Sequence, residues 1–129
     1  MLETGIIGEK SIIVTEEFTA KAMKSGELMV YATPAMIALI EEAAYQSVSG
    51  MLEEGAGTVG TLMNVEHISA SPVGMKVHAK TELVSIDGRR LVFQVEAYDE
   101  NGMIGKGVHE RFIIQNKKFQ DKTDAKLTR

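Results

Sequence analysis

Cysteine is absent from this 129-residue chain, and so is any long apolar run. The first absence excludes a disulfide framework, a cysteine-ligated zinc site and a thiol nucleophile within it. The longest apolar-rich stretch, Tyr31 to Ile40, falls far short of the roughly 20 residues a membrane-spanning helix needs. The opening MLETGIIGEK carries acidic residues where a secretory signal carries basic ones, and no apolar segment of signal type follows. These features predict a cytoplasmic protein without a membrane partner. Positive charge is not in excess either. The formal net charge is −4, whereas nucleic acid as a main partner demands a concentrated basic surface. Basic residues do gather at the C-terminal end, as Lys117, Lys118, Lys122, Lys126 and Arg129. A solvated, frayed tail from about residue 118 is the plain reading of them, and attraction of an anionic ligand is the other. No G-x-S-x-G elbow, P-loop or dinucleotide fingerprint occurs, and Gly102 to Gly107 lacks the strand-to-helix context of such motifs.

What is present is the makeup of one globular domain. Apolar residues are 44% and charged residues 25% of the chain, and its length suffices for a core without metal or disulfide staples. We read residues 1–129 as a single domain without repeat or linker. A first strand is predicted over about Gly5 to Thr15, centred on Ile12-Ile13-Val14. Thr33-Pro34 marks a helix start, with threonine as cap and proline at the first helical position, and the helix runs to about Ser49 with Gly50 as its stop. Its first half, AMIALI, is apolar on every side and predicts burial all round. Four strands follow, at about Thr58–Ser69, Lys76–Ile86, Arg90–Tyr98 and Met103–Gln115. Turn signals separate them at Pro72-Val73-Gly74, Asp87-Gly88 and Glu100-Asn101-Gly102. The sequence thus predicts an α+β hotdog fold: one long buried helix wrapped by a curved antiparallel sheet of about five strands, the later ones in a meander. Such a sheet leaves an open edge, which predicts a homodimer or a larger assembly such as a tetramer.

Three side chains stand out as candidate chemistry, two of them in apolar surroundings. At about 100° per residue, Ile37, Ile40, Ala44, Val48 and Met51 form one helix stripe, and Glu41 falls inside it. An enclosed carboxylate is the group a general base near neutrality requires, although spacing alone also allows an edge glutamate that reaches solvent. On the strand TVGTLMNVEHIS, His67 shares a face with Val59, Thr61, Met63 and Val65 by alternation. It is either a core histidine or an acid/base. Thr33 is a helix cap whose hydroxyl could also face a pocket. Gly60 and Thr61 mark a place where a ligand could approach the backbone and meet a free N–H, or simply a bulge or turn. His78 alternates with Lys80 and Glu82 on a polar face, and His109 among Gly105, Gly107 and Arg111 stays undecided. Dispersed histidines without a tight carboxylate cluster imply no metal.

Four segments, Y-A-T-P-A-M-I-A-L-I-E-E-A-A, G-T-V-G-T-L-M-N-V-E-H-I-S-A-S-P-V-G, D-G-R-R-L-V-F-Q-V-E-A-Y-D and I-G-K-G-V-H-E-R, together resemble the fluoroacetyl-CoA thioesterase family of hotdog proteins over about Gly5 to Phe119. The resemblance implies hydrolysis of a small or medium acyl-CoA to free acid and CoA, with no cofactor beyond the CoA of the substrate. It implies a catalytic set at Thr33, Glu41 and His67, with the Gly60 amide, beside Thr61, facing the thioester carbonyl. Glu41 would be nucleophile or water-activating base, His67 an acid/base toward water or the thiolate, and Thr33 an orienting group. CoA is a polyanion, so Arg89, Arg90 and Arg111 are the candidate cations along its path. The fluoroacetyl-specific member has a Pro- and Phe-rich lid ahead of the helix. Here that stretch is K-A-M-K-S-G-E-L-M-V, without phenylalanine between Phe18 and the helix, so fluoroacetyl-CoA is not the expected substrate. The contrasting reading is a non-catalytic acyl-CoA-binding module, in which Glu41 and His67 are dispensable and no thiol is released. A hydratase would need an Asp and a His close together near the helix start, and none stands there.

Overall fold

The computed structural model describes residues 2–128, so Arg129 of the basic tail lies outside the described residues. The elements in order are β1 (Ile7–Ile13), α1 (Thr33–Ser49), β2 (Ala56–His67), β3 (Lys76–Asp87), β4 (Arg90–Asp99), β5 (Gly102–Gln115) and α2 (Asn116–Asp124). Single 3-10 turns occur at Glu16–Phe18 and Ala125–Thr128. One five-stranded antiparallel sheet has the order β1-β3-β4-β5-β2. Register shifts at Gly60/Leu62, Leu83/Ser85 and Ala97/Tyr98 bend it into a trough around α1.

The expected meander holds for β3, β4 and β5 but not for β2. Pro72-Val73-Gly74 does not close a hairpin between β2 and β3, because β3 pairs with β1 on one side and β4 on the other. The 68–75 connection carries the chain across the sheet, anchored by a bridge from Val30 to Pro72 and by the Gly74 N–H on the Val14 carbonyl. Between β3 and β4 the two loop residues are Gly88 and Arg89, with Asp87 already paired to Arg90. Only Gly88 has positive φ, at 62°, which is the backbone of a II′ turn rather than of an Asp-Gly I′ turn.

The core is the inner face of α1 against the trough. Met36, Ile40, Ala44 and Val48 have no exposure, and Ala35, Leu39 and Ala43 flank them. Val77, Ala79 and Leu83 of β3 and Leu91, Phe93, Val95 and Ala97 of β4 meet them from the sheet. Burial of α1 is one-sided, not all round: Ala38 is exposed and Ile37 half-buried, and Met51 stands past the helix end at 49% exposure. The basic tail falls in helix α2 and the 3-10 turn after it, and none of the α2 residues is buried. Among the described residues, no helix is long and apolar enough to cross a membrane.

Candidate active site

An extra residue in β2 decides what faces the trough. From His67 inward the register runs His67 opposite Gly105, Val65 opposite Gly107 and Met63 opposite His109. Thr61 is then a bulge, and Gly60 falls opposite Arg111. Simple alternation had put Thr61 and Val59 on the face of His67; the bulge reverses the phase, and Gly60 and Thr58 take those places. Thr61 is exposed and donates its hydroxyl to the Glu110 carbonyl at 3.2 Å.

Around Gly60 lies a polar cluster. Arg111, 6% exposed, donates from Nε to Thr58 Oγ1 at 2.8 Å, from Nη2 to the Thr58 carbonyl at 3.0 Å and from Nη1 to His109 Nε2 at 3.1 Å. Its Nη1 also stands 3.6 Å from Glu41 Oε2. His109 Nδ1 lies 2.8 Å from the Leu62 carbonyl. A carbonyl only accepts and a guanidinium only donates, so His109 is the neutral Nδ1–H tautomer. Burial pushes the His109 pKa below the ordinary imidazole value, and the Arg111 charge adds to that. Burial also lowers the Arg111 pKa, against the pull of Glu41. Tyr45, one turn after Glu41, covers the guanidinium at 5.8 Å. A Cβ built on Gly60 would come within 2.8 Å of Glu41 Oε2, so the carboxylate rests against bare backbone. Glu41 is not enclosed as the stripe implied: its side chain keeps 44% exposure, because the buried stripe runs through Met36, Ile40 and Ala44 instead.

A second cluster forms at the start of α1. The cap is Ala32, not Thr33, with Pro34 inside the first turn. The Thr33 hydroxyl is therefore free of capping and lies 2.8 Å from His67 Nδ1. His67 Nε2 is buried, and burial lowers the pKa of this imidazole against a smaller upward pull from the Ser69 backbone. Thr33, His67 and Tyr31 line a pocket of about 260 Å³ with Ser25, Val30 and Ser69.

The three expected catalytic residues therefore do not meet within one chain. Eight helical residues separate Thr33 from Glu41 by about 12 Å of axial rise. Seven strand residues separate Gly60 from His67 by about 20 Å. Each chain carries two separate polar clusters: Thr33 with His67, and Glu41 with Gly60, His109 and Arg111.

The expected CoA cations also divide. Arg111 is no surface cation, since its guanidinium is buried and committed to Thr58, His109 and Glu41. Arg90 is clamped by both oxygens of Glu110, at 3.0 and 2.9 Å. Arg89 lies over the Phe112 ring at 5.2 Å. His78 sits 3.1 Å from Glu9 and stacks on Tyr98, away from both clusters. Thr58, Tyr45 and Tyr31 were not singled out from sequence. The alternation of His109 and Arg111 in G-V-H-E-R did hold a signal, but not which face of the sheet they share.

A family model described as fluoroacetyl-CoA-specific thioesterase matches residues 14–117. The fluoroacetyl-CoA thioesterase of Streptantibioticus cattleyicolor is 41% identical over 97 residues, which cover 75% of this chain and 70% of that protein. A solved fluoroacetyl-CoA thioesterase structure superposes with a TM-score of 0.92 at 32% identity, over 98% of each chain. A thioesterase superfamily member from Thermus thermophilus follows at a TM-score of 0.88 and 28% identity, over 96% of this chain and 92% of that one. By a match that runs from the end of β1 to the start of α2, through both polar clusters, the chain belongs to the fluoroacetyl-CoA-specific thioesterase family of hotdog-fold acyl-CoA hydrolases.

Proposed function

We propose that the protein is a cytoplasmic enzyme that hydrolyses small acyl-CoA thioesters at sites assembled from two copies of the chain. The observation that carries this reading is the split of the site. Thr33 and His67 stand at one end of the open β2 edge, and Glu41 and Gly60 lie toward the other. Pairing two β2 edges antiparallel about a two-fold axis near Met63 and Asn64 would set Gly60 across from the partner's His67. One homodimer would then hold two complete sites. Leu62 at 44% exposure, Tyr45 at 43% and exposed Ala38 supply apolar surface for that contact.

In this reading water and thioester give acid and thiol. The new C–O bond forms at the acyl carbon, the C–S bond breaks, and the sulfur leaves with a proton. Glu41, held by Arg111, either takes the proton of the attacking water or attacks the carbon itself to give an anhydride that water opens. His67 is neutral near pH 7, which suits it to accept a proton and return it to the thiolate. The Gly60 backbone, bare of side chain, is where the thioester oxygen would approach an N–H donor. The CoA arm would run along the subunit boundary, where Arg89 is the proposed cation. The pocket beside Thr33 suits a small acyl group, and the phenylalanine-free stretch ahead of α1 argues against selection for fluorine.

The test is thiol release across a panel of acyl-CoA esters, with Glu41→Gln beside wild type. We expect release from small esters and a loss of roughly 10²–10⁴-fold in Glu41→Gln at unchanged circular dichroism. Full activity in Glu41→Gln would sink the role of this carboxylate. Binding of acyl-CoA without any release would establish the non-catalytic module instead.

A further inference from the structure

Tyr31 stands two residues before Thr33 and is 1% exposed. Its backbone is fixed by its N–H on the Ser71 carbonyl at 2.8 Å and by a bridge to Thr19. Its hydroxyl has no hydrogen-bond partner, and its ring meets the His67 imidazole edge-on with centroids 6.4 Å apart. Both residues line the pocket beside Thr33, along with the hydroxyl-bearing Ser25 and Ser69. Burial raises the tyrosine pKa, so the group stays an O–H donor throughout the working range. A buried hydroxyl left unpaired is costly, and a phenylalanine would fill the same space without that cost. The orphaned donor stands just behind the wall of this polar pocket, beside the His67 imidazole and the Thr33 hydroxyl to which proton transfer and orientation of the acyl group are assigned. Its missing partner is best supplied by the group that enters there.

We propose that Tyr31 is a specificity-determining residue that selects short acyl groups bearing a hydroxyl or oxo oxygen one or two carbons from the thioester carbonyl. This rests on the reading of the protein as an acyl-CoA hydrolase. The tyrosine O–H donates to that oxygen, while a plain alkyl chain leaves the donor unpaired and desolvated. Sites built to hydrogen-bond a substrate group discriminate strongly against the analogue that lacks it.

The experiment compares kcat/KM for pairs of near-equal size in which a methyl replaces a hydroxyl: glycolyl-CoA with propionyl-CoA, and 3-hydroxybutyryl-CoA with isovaleryl-CoA. Wild type should favour the oxygenated member by at least about tenfold. Tyr31→Phe should bring that ratio close to one. A wild-type ratio at or below one overturns the proposal without recourse to any variant. So does a ratio unchanged in Tyr31→Phe, including an equal loss on both esters, which would make the hydroxyl a holder of internal water. Release from plain esters without preference defeats this selectivity alone. Absence of release from every ester defeats the hydrolase reading and the proposal with it.

Discussion

At Arg111 and His109 a charge and an imidazole lie inside the protein, and such groups stay buried only where their donors and acceptors are met. Arg111 spends its donors on Thr58 and His109, and its charge, 3.6 Å from Glu41 Oε2, draws the partly exposed carboxylate toward Gly60. The arrangement needs His109 neutral, because a proton on Nε2 would replace an acceptor by a second cation against the guanidinium. This gives stability a pH dependence of defined sign. Folded His109 and His67 titrate below the ordinary imidazole value, whereas the unfolded chain titrates at about 6.5. Above that pH neither state binds the proton. As pH falls through it, the unfolded chain binds first, so stability is lost toward acid until the folded imidazoles titrate too. The urea midpoint should therefore drop between pH 8 and pH 5.5. His109→Gln, which keeps a donor and an acceptor, should shallow the drop, and an unaltered slope would place the proton elsewhere.

Two elements meet at Gly60, strand β2 with its bulge and helix α1 with Glu41 on its edge. The bulge turns the glycine inward, and the missing side chain leaves room for the carboxylate. Gly60→Ala would bring a methyl within 2.8 Å of Glu41 Oε2, the free end of a flexible side chain. The fold should absorb that by moving the carboxylate and by small shifts of the buried Arg111 Nη1 and His109 Cε1, each 3.3 Å from the new methyl, so the melting temperature should fall modestly. Catalysis should not tolerate the move, since a shift of about 1 Å at a reacting group can cost on the order of 10²-fold. Turnover and thermal unfolding of the same preparation check this together. Wild-type turnover in Gly60→Ala would mean that Glu41 works from some other position.

For the whole molecule, the question is whether two half-sites 12 Å or more apart within a chain are joined by a second copy. Glu41→Gln and His67→Ala damage different halves. If each site takes one half from each subunit, a mixed dimer of the two variants keeps one intact site of two. Co-refolding them in equal amounts should then restore about a quarter of wild-type activity, from the half of the dimers that are mixed. A site contained in one chain predicts none. Ile68 turns its N–H to the Ile104 carbonyl of β5, so by alternation the Met63 N–H faces the open β2 edge; Met63→Pro should weaken the dimer and lower activity with it, which sedimentation alongside thiol release would show.

Much of this molecule was legible along the chain. The β-branched runs, the Thr33-Pro34 start, the Gly50 stop and the glycine turns mark all five strands and the central helix, because these signals act on neighbouring residues. Polar residues amid apolar ones marked Glu41 and His67, since such placements are costly without a purpose, while the helix start marked Thr33 and a strand position without a side chain marked Gly60. Tertiary structure decided what local pattern cannot. Pairing β2 with β5 instead of β3 depends on contacts far apart in sequence. The bulge at Thr61 changes no propensity yet reverses which side chains face the trough. Burial of Arg111 and the orphaned Tyr31 hydroxyl follow from where the sheet closes on the helix. Side-chain chemistry is carried by the residue, but its exposure, partners and direction belong to the surfaces that folding brings together.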